Sequence, residues 1–544
     1  MALSIIPDSA PFNTEQRAWL NGFLAGWLGL QDGQGVAPAG SAAALPAPGA
    51  LATTAPAAAA APAAAPDDED FPWHDPALPI GDRMAMAEGK PAELRLMAAM
   101  AQLDCGTCGY LCRTYSRAIV EGAEKSLTLC SPGGSETSRM LKKIVKEAGS
   151  GGNSNGNGVA KDVAAPAVAG PAGWSRKKPY TARLLRSRNL NKPGSDKATH
   201  HVEIDLGPDG PAYEVGDSLG IYPTNCGDLI GEVVEALGAR GDEPVETASG
   251  IPATLRDALD GHCCLAEIPE DFLRLLADSA TDPAEADAIR ALLVDDAPIA
   301  GFHAFDLLRQ FPSARPSPAA VVRSLAEMKP RLYSISSSPR RHAGQVHLTV
   351  RKVVYSFQER GRKGVASTML ADRVATGAPL RVFVQKSHGF TIPGDPAAPA
   401  IMVGPGTGIA PFRAFLHERD AIGAPGKNWL FYGDQRGQYD FLYEDELADF
   451  RARGVLTRLD TAFSRDQERK VYVQDRIVEH GREVFAWLGE GAHVYVCGDA
   501  KRMAADVDRA LRRVVRDHGA MDDDAASAYI AKLAADGRYR RDVY

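Results

Sequence analysis

Apolar and polar residues follow contrasting patterns along the first third of the 544-residue chain. Residues 12–29 repeat large apolar side chains at helical spacing, which predicts a short amphipathic helix. This helix either packs on its own chain or docks a partner subunit. Residues 35–67 are almost entirely Ala and Pro, and residues 149–172 are rich in Gly, Asn and Ala, so both predict linkers without a core.

The pattern changes at residue 178. The segments YTARLLRSRNL and THHVEIDLG alternate polar and apolar residues, as half-buried strands do. Residues 224–328 are mostly helical in pattern, and strand-like segments return at RLYSISSSP, QVHLTVRKVVY and LRVFVQ. We therefore expect an antiparallel β-barrel that carries a helical insertion.

From residue 399 onward, short apolar strands alternate with helical segments, beginning with AIMVG and PFRAFLHERD. Such a βαβ series predicts a parallel sheet that helices cover on both faces. Ligands of these sheets bind beyond the carboxyl ends of the strands.

The first strand of this series leads into three glycines at alternate positions, Gly404, Gly406 and Gly408. Pro411 then opens a segment with helical spacing, and proline is well suited to the first turn of a helix. Glycines allow the backbone to approach a ligand, and a helix N-terminus attracts anions such as a pyrophosphate. Taken alone, the stretch is equally compatible with a plain glycine turn between a strand and a helix.

Charge and composition narrow the class of protein. The net charge of −8 gives no reason to expect nucleic-acid binding. The sequence shows no apolar run long enough for a membrane helix and no signal-peptide pattern, so we expect a soluble, cytoplasmic protein. Eight cysteines are too few at this length to indicate a disulfide framework.

Four of those cysteines, Cys105, Cys108, Cys112 and Cys130, lie close together in the sequence. Three closely spaced thiolates and nearby glycines suit a [4Fe–4S] cluster, whereas structural zinc usually takes two separated pairs. A cluster, a zinc ion and purely structural thiols all remain open on spacing alone. The segment DCGTCGYLCRTYSRAI also resembles the small four-cysteine iron–sulfur domain of electron-transfer proteins.

Seven motifs occur in order between residues 331 and 544: RLYSISSSP, GVASTML, GPGTGIAPFRAF, FYGDQR, SRDQERKVYVQ, VYVCGD and RYRRDVY. Together they resemble the reductase half of the diflavin reductases, and within that family the flavoprotein subunits of NADPH-dependent sulfite reductases. The resemblance covers about residues 178–544. It implies a ferredoxin-NADP-reductase-like fold, with an FAD-binding barrel and an NADP-binding parallel sheet.

The resemblance implies an FAD site on two of these motifs. Arg331 can meet a flavin phosphate and Tyr333 can stack on the isoalloxazine ring, while Ser334 is placed near flavin N5. Small residues at the start of a helix suit the FAD pyrophosphate. These residues are Gly364, Val365, Ala366 and Ser367.

The NADPH site is implied by cations, a hydroxyl and an aromatic residue that follow a strand within nine positions. An extra 2′-phosphate needs such charge-assisted donors, whereas an NAD enzyme would show an acidic residue for the ribose hydroxyls. The implied contacts are Gly406, Thr407, Ser464, Arg465, Lys470, Tyr472, Gln474 and Asp499.

Four residues carry the implied catalytic roles: Ser334, Cys497, Asp542 and Tyr544. Cys497 matches the cysteine beside the nicotinamide C4, although a buried thiol at a strand end is usually just a small apolar residue. Tyr544 matches the aromatic residue that covers the flavin and moves aside for the nicotinamide.

The chain departs from the family at one point. Diflavin reductases carry a flavodoxin-like FMN domain ahead of the FAD half, and no comparable α/β segment precedes Lys178. FAD accepts a hydride as two electrons, whereas haem acceptors take one electron at a time. We therefore expect a [4Fe–4S] cluster, and no FMN, to serve as the one-electron exit.

The expected acceptor is the sirohaem-containing sulfite reductase haemoprotein, and alternatives are assimilatory nitrate reductase or a free flavodoxin or ferredoxin. We expect no nucleic-acid or membrane partner, and the sequence leaves the oligomeric state open. The predicted organisation is a docking helix (1–34), a linker (35–70), a four-cysteine domain (90–148), a second linker (149–175), an FAD-binding barrel (176–396) with its insertion (about 224–328), and an NADP-binding domain (397–544).

Overall fold

A computed structural model describes residues 71, 73, 78–102, 110–130, 132–149, 174–294, 297–299, 301–387, 389–500 and 502–544. These residues belong to one compact unit, Asp70–Tyr544. The predicted N-terminal helix, the Ala/Pro linker, Cys105 and Cys108 lie outside the described residues.

The strands of the described chain form two large sheets and two small hairpins. They are β1 (Tyr180–Asn189), β2 (Thr199–Asp205), β3 (Ser218–Tyr222), β4 (Pro244–Glu246), β5 (Pro252–Thr254), β6 (Arg331–Ser334), β7 (Gln345–Arg351), β8 (Val354–Phe357), β9 (Arg360–Lys363), β10 (Pro379–Gln385), β11 (Ala400–Val403), β12 (Asn428–Asp434), β13 (Arg458–Phe463), β14 (His493–Gly498) and β15 (Tyr539–Val543).

The α-helices fall into three groups along the chain. The first group is Ile80–Met86, Ala92–Ala99, Cys112–Val120 and Gly134–Gly149. The second is Gly227–Ala236, Leu255–Gly261, Glu270–Ser279, Pro283–Val294, Ala304–Gln310, Pro318–Ser324 and Val365–Thr368. The third is Ala410–Ala421, Gly437–Asp440, Glu444–Ala452, Val473–Glu479, Gly481–Gly489, Met503–Gly519 and Asp523–Ala535. No helix of the described residues is both long enough and apolar enough to span a bilayer.

The antiparallel sheet has the strand order β6-β3-β10-β1-β2-β7. Its alternating strands bury one face, as the sequence pattern predicted: Ala182 and Leu184 of β1 pack with Val202 and Ile204 of β2 in one core. The helices between β3 and β6 bury their own apolar cluster around Phe272. Strand β6 is an edge strand of this sheet, and its residues line a cleft.

The parallel sheet has the order β13-β12-β11-β14-β15, and every neighbouring pair is parallel. Two separate apolar cores cover its faces, as the βαβ pattern predicted. From β11 the chain first builds outward through β12 and β13, and then returns to the other side of β11 with β14. The strand order therefore reverses between β11 and β14, and this switch point opens a crevice at their carboxyl ends.

The last strand of this sheet was missed in the sequence. The segment RYRRDVY matched a family motif, but without that match it looked like an unremarkable tail. In the structure Tyr539–Val543 is β15, with Cys497 directly opposite Asp542. Because strand pairing is a long-range interaction, five residues with three charges among them gave little local signal.

The first group of helices packs around a small core that includes Leu96, Met97 and Tyr115. Cys112 is the first residue of its helix, and Cys112 and Cys130 are both buried in this core. The group contacts the rest of the unit through Lys329, whose Nζ donates to the Thr128 carbonyl at 3.3 Å, and through a Lys142–Glu270 ion pair.

Candidate active site at the switch point

A cavity of about 1140 Å³ lies at the carboxyl edge of the parallel sheet and faces strand β6 of the antiparallel sheet. This volume slightly exceeds the usual range of ligand pockets, roughly 300 to 1,000 Å³, and suits an extended dinucleotide. Eleven of the predicted site residues line it: Arg331, Tyr333, Ser334, Gly406, Thr407, Ser464, Tyr472, Gln474, Asp499, Asp542 and Tyr544.

The glycine loop after β11 packs closely against β14, and this packing determines the path of its backbone. A Cβ atom at Gly408 would lie 2.1 Å from the carbonyl oxygen of Cys497, so only glycine fits there. Gly406 has φ +57°, in the left-handed region that favours glycine. The loop continues as the 3₁₀ turn Gly406–Ile409 and then as the helix Ala410–Ala421. The predicted strand, turn and helix are therefore confirmed, and the loop forms one wall of the cavity.

Three polar side chains from the two sheets meet in the cleft. Ser334 Oγ donates a hydrogen bond to Asp542 Oδ2 at 2.6 Å, and Cys497 Sγ donates to the same oxygen at 3.7 Å. Ser334 stands at the end of β6, whereas Cys497 and Asp542 are opposite each other on β14 and β15. The structure thus brings together three of the four residues predicted to be catalytic.

The protonation of this group follows from its enclosure. Complete burial raises the pKa of the Cys497 thiol well above its ordinary value, and the nearby Asp542 carboxylate raises it further. Desolvation also raises the pKa of Asp542, while hydrogen bonds from Ser334 and Cys497 oppose that shift. Cys497 is therefore a neutral thiol, and Asp542 is the acceptor of two hydrogen bonds in a poorly solvated site.

Tyr544 spans the mouth of this site. Its hydroxyl is 2.9 Å from Thr407 Oγ1 on the glycine loop, and its amide donates to the Gly498 carbonyl at 3.0 Å. The residue as a whole nevertheless stays 55% exposed. The ring is thus anchored by its backbone and by one hydroxyl contact, and it covers the cleft without being packed into it.

The residues predicted for NADPH divide between the cavity wall and its rim. Ser464 lines the wall, and its amide donates to the Asp434 carbonyl at 2.9 Å. Gln474 Nε2 donates to Asp506 Oδ2 at 3.3 Å. Asp499 Oδ1 accepts the amides of Arg502 and Met503, which fixes the turn before the helix Met503–Gly519. Arg465 and Lys470 are exposed and lie outside the lining.

Of the residues predicted to bind the flavin, some line the cavity and others lie outside its lining. Arg331 lines the cavity, with Nη1 donating to the Lys329 carbonyl at 2.7 Å, and Tyr333 lies beside it. Burial raises the pKa of Tyr333, so its ring remains a neutral stacking surface. Gly364, Val365, Ala366 and Ser367 form the start of a short helix that is not among the lining residues.

Sequence reasoning missed a buried ion pair on the cavity wall. Lys197, from the β1–β2 connection, pairs with Asp434 at the end of β12, whose side chain is 1% exposed. Burial raises the pKa of Asp434, and the charge and hydrogen bond of Lys197 oppose that shift. The signal for Asp434 was present, because it directly follows the apolar run NWLFYG at a strand end. No local pattern marks Lys197 as its partner.

The comparisons with known families agree with this two-sheet arrangement. Residues 173–369 match the FAD binding domain family, and residues 402–509 match the oxidoreductase NAD-binding domain family. The chain carries an FAD-binding and an NAD-binding domain of ferredoxin-NADP-reductase type. The antiparallel sheet belongs to the FAD-binding domain and the parallel sheet to the NAD-binding domain, so the cavity lies between the two.

Similar proteins carry the name sulfite reductase [NADPH] flavoprotein alpha-component. The Klebsiella pneumoniae protein is 42% identical over 395 residues, covering 70% of this chain and 65% of the relative. The Serratia proteamaculans protein is 43% identical over 375 residues, covering 68% and 62%. The Escherichia coli K12 protein is 43% identical over 379 residues, covering 68% and 62%. The chain thus spans somewhat less than two thirds of the length of these relatives.

Proposed function

We propose that the protein is an NADPH-dependent flavoprotein reductase that passes electrons from NADPH through FAD towards a sulfite reductase haemoprotein. The observation that carries this proposal is the meeting of Ser334, Asp542 and Cys497 at the switch-point cleft. The two domain families and the names of the relatives support it.

The residues present fit a flavin and a nicotinamide nucleotide. The cavity combines an aromatic ring at Tyr333, a cation at Arg331 and a glycine wall at Gly406. Gln435 also lines it, and its buried Oε1 has no hydrogen-bond partner within the described residues. When bound, FAD supplies a two-electron acceptor that releases electrons singly.

Each residue of the cleft has a separate task in this proposal. Ser334 places its hydroxyl next to the reacting edge of the flavin, and Asp542 holds that hydroxyl in position by accepting its hydrogen bond. Cys497 presents a neutral, fully buried thiol that excludes water from the nicotinamide side. Tyr544 covers the flavin face and gives way to the nicotinamide, which its exposure permits.

Nucleotide recognition is assigned to the rim beyond β13 and β14. Arg465 and Lys470 supply positive charge for the 2′-phosphate, and Ser464 and Gln474 supply neutral donors. Tyr472, which is 44% exposed, offers a ring for the adenine. On the flavin side, Arg331 and the segment Gly364–Ser367 are assigned to the FAD phosphates.

The one-electron exit is assigned to a [4Fe–4S] cluster held by Cys105, Cys108, Cys112 and Cys130. Cys112 and Cys130 share one buried core, and Gly133 packs closely against Thr137 and Cys130, since a Cβ at Gly133 would lie 2.1 Å from Thr137 Oγ1 and 3.1 Å from Cys130 Sγ. Pro132, two residues after Cys130, lines the same cavity as Arg331 and Ser334. The residues that follow Cys130 thus adjoin the cleft, which supports electron exit at this point.

Composition analysis and a single-cysteine series test this proposal. The protein, reconstituted anaerobically, should hold about four irons and one FAD per chain with no FMN, and NADPH should reduce its flavin. Cys108→Ser should lose iron and keep NADPH-driven flavin reduction, whereas Cys226→Ser is the matched control that keeps both. Stoichiometric FMN, or full iron in Cys108→Ser, would contradict the cluster assignment.

The acceptor needs its own test. Affinity-purified native protein should bring down a protein with the sirohaem absorbance spectrum, and truncation of residues 1–34 should abolish the capture. Recovery of a nitrate reductase, a flavodoxin or a ferredoxin in place of a sirohaem protein would assign the chain to another acceptor.

A further inference from the structure

The connection between β1 and β2 of the FAD-binding domain reaches across to the NAD-binding domain. Asn191 Nδ2 donates to Asp440 Oδ1 at 2.9 Å, and the Lys192 amide donates to the Tyr439 carbonyl at 2.9 Å. Asn191 and Asp440 are both buried. These contacts hold the connection against the short helix Gly437–Asp440, which follows β12, so the more exposed residues that follow Lys192 are placed near the rim assigned to the nucleotide.

Asp196 of this connection meets two arginines of the NAD-binding domain. Its Oδ2 accepts from Arg465 Nη1 at 3.1 Å and from Arg436 Nη1 at 3.2 Å. The arginines follow the neighbouring strands β13 and β12, and their amides are bonded within the NAD-binding domain to Gln435 and Asp440. Two cations anchored in one domain therefore converge on a single carboxylate oxygen that comes from the other.

The two ion pairs of Asp196 have a geometry that another anion could replace. Each arginine uses one nitrogen and reaches the same oxygen, so neither pair is bidentate. The side chains of Asp196, Arg465 and Arg436 are 60%, 44% and 36% exposed. Exposed pairs of this kind contribute little to stability, and a phosphate dianion offers more charge and more oxygens to the same guanidiniums.

We infer that Asp196 occupies the place of the NADPH 2′-phosphate in the free protein and is displaced when the nucleotide binds. This inference rests on the proposed function, which assigns Arg465 to the 2′-phosphate. Asp196 holds the two like-charged guanidiniums together, and it competes only with ligands that carry a phosphate at the 2′ position. Nucleotide binding therefore breaks one of the links between the domains, while the buried Asn191–Asp440 link persists.

The test measures binding of adenosine 2′,5′-bisphosphate and of 5′-AMP to the flavin-loaded protein by calorimetry. Asp196→Asn should lower the dissociation constant for the bisphosphate roughly 2- to 10-fold, because two weak competing ion pairs are removed. The constant for 5′-AMP should stay within about twofold. Asp209→Asn removes an exposed carboxylate from the same domain, away from the rim, and is the control for net charge. Asp196→Ser should repeat the effect of Asp196→Asn.

Arg465→Gln separates failure of this inference from failure of the proposed function. Suppose that Arg465→Gln weakens binding of the bisphosphate, whereas Asp196→Asn leaves that binding unchanged or also weakens it. The inference is then wrong, and the proposed 2′-phosphate site stands. If Arg465→Gln binds the bisphosphate as tightly as the unaltered protein, the proposed 2′-phosphate site is wrong and the inference falls with it. If Asp209→Asn tightens binding of the bisphosphate as much as Asp196→Asn does, the change in affinity comes from net charge alone, and the role of Asp196 is overturned.

Discussion

Ser334 and Asp542 are joined by a hydrogen bond of 2.6 Å although they are 208 positions apart in the sequence. Ser334 belongs to the edge strand of the antiparallel sheet, and Asp542 to the last strand of the parallel sheet. The bond therefore links the antiparallel sheet to the parallel sheet across the cleft. Any change in how the two domains pack therefore alters this contact.

The first prediction concerns this bond. Ser334→Ala and Asp542→Asn should each slow flavin reduction by NADPH roughly 10- to 100-fold, because a positioned donor and its acceptor are lost. The dissociation constant of NADP⁺ should change less than about twofold, since neither residue lies at the phosphate rim. Stopped-flow flavin absorbance measures the rate, and Ser324→Ala, on a remote helix, is the control. Weaker NADP⁺ binding at an unchanged reduction rate would assign the pair to binding instead.

The second prediction concerns the ring of Tyr544. Tyr544→Ser should lower the inhibition constant of NADP⁺ roughly 2- to 10-fold, because a stacking ring no longer competes with the nicotinamide. Tyr544→Phe is the matched variant: it keeps the ring, loses only the hydroxyl contact with Thr407, and should bind NADP⁺ nearly as the unaltered protein does. Product inhibition measures the constant. Identical shifts in both variants would show that the hydroxyl contact, and not the ring, controls access.

A third prediction follows from a row of histidines between the two domains. Burial and the nearby Arg413 lower the pKa of His201 to about 2 and of His342 to about 4. Burial and the neighbouring His342 lower the pKa of His347 to about 3. Burial alone would raise the pKa of Glu446, but a hydrogen bond from His417 and the charge of Arg413 lower it. All four groups thus have folded-state pKa values below their ordinary ones.

The sign of the pH dependence follows directly. The unfolded histidines bind protons below about pH 6.5, whereas the folded ones do not until far lower pH. Stability is therefore lost as pH falls below about 6.5, by up to about 1.4 kcal/mol per pH unit for each histidine. Glu446 adds a loss below its ordinary pKa of 4.5, since its contribution is present only above that value.

His347→Asn should reduce this acid sensitivity. The difference in unfolding free energy between about pH 7.5 and pH 5.5 should shrink by roughly 1 kcal/mol relative to the unaltered protein, since one fewer group takes up a proton on unfolding. Denaturant unfolding at the two pH values measures it, with His518→Asn, on an exposed helix end, as the control. If the difference in unfolding free energy between the two pH values is the same in His347→Asn as in the unaltered protein, His347 does not contribute to the acid sensitivity.

A fourth prediction concerns the attachment of the cysteine-bearing helices. Lys142→Glu should increase amide hydrogen exchange in residues 134–147 by about 2- to 5-fold, because an exposed ion pair with Glu270 becomes a repulsion. Glu270→Lys added to Lys142→Glu should restore the original exchange. Reversal of the remote pair Lys352–Asp372 serves as the control. Failure of the double variant to restore protection would mean that this pair does not hold the helices in place.

Much of the fold was accessible from local patterns. Alternation in YTARLLRSRNL and THHVEIDLG predicted β1 and β2, and the βαβ series from residue 399 predicted the parallel sheet. The spacing of the glycines predicted a loop at a strand end, since the left-handed backbone of Gly406 is a local demand. The close approach of Gly408 to Cys497, in contrast, comes from the fold. These features were predictable because burial and backbone conformation leave their mark within a few neighbouring residues.

Only the tertiary structure decided three other features. These are the hydrogen bond between Ser334 and Asp542, the pairing of Tyr539–Val543 as a fifth parallel strand, and the placement of Asp196 over Arg465. A family motif pointed to Ser334, Cys497 and Asp542 singly, but no pattern showed that all three share one oxygen. The sequence by itself determined the glycine loop and most of the segments that become strands and helices, with β15 as the exception. Which side chains face each other across the domain boundary depends on sheet order and on packing between segments hundreds of residues apart, and local periodicity carries no record of either.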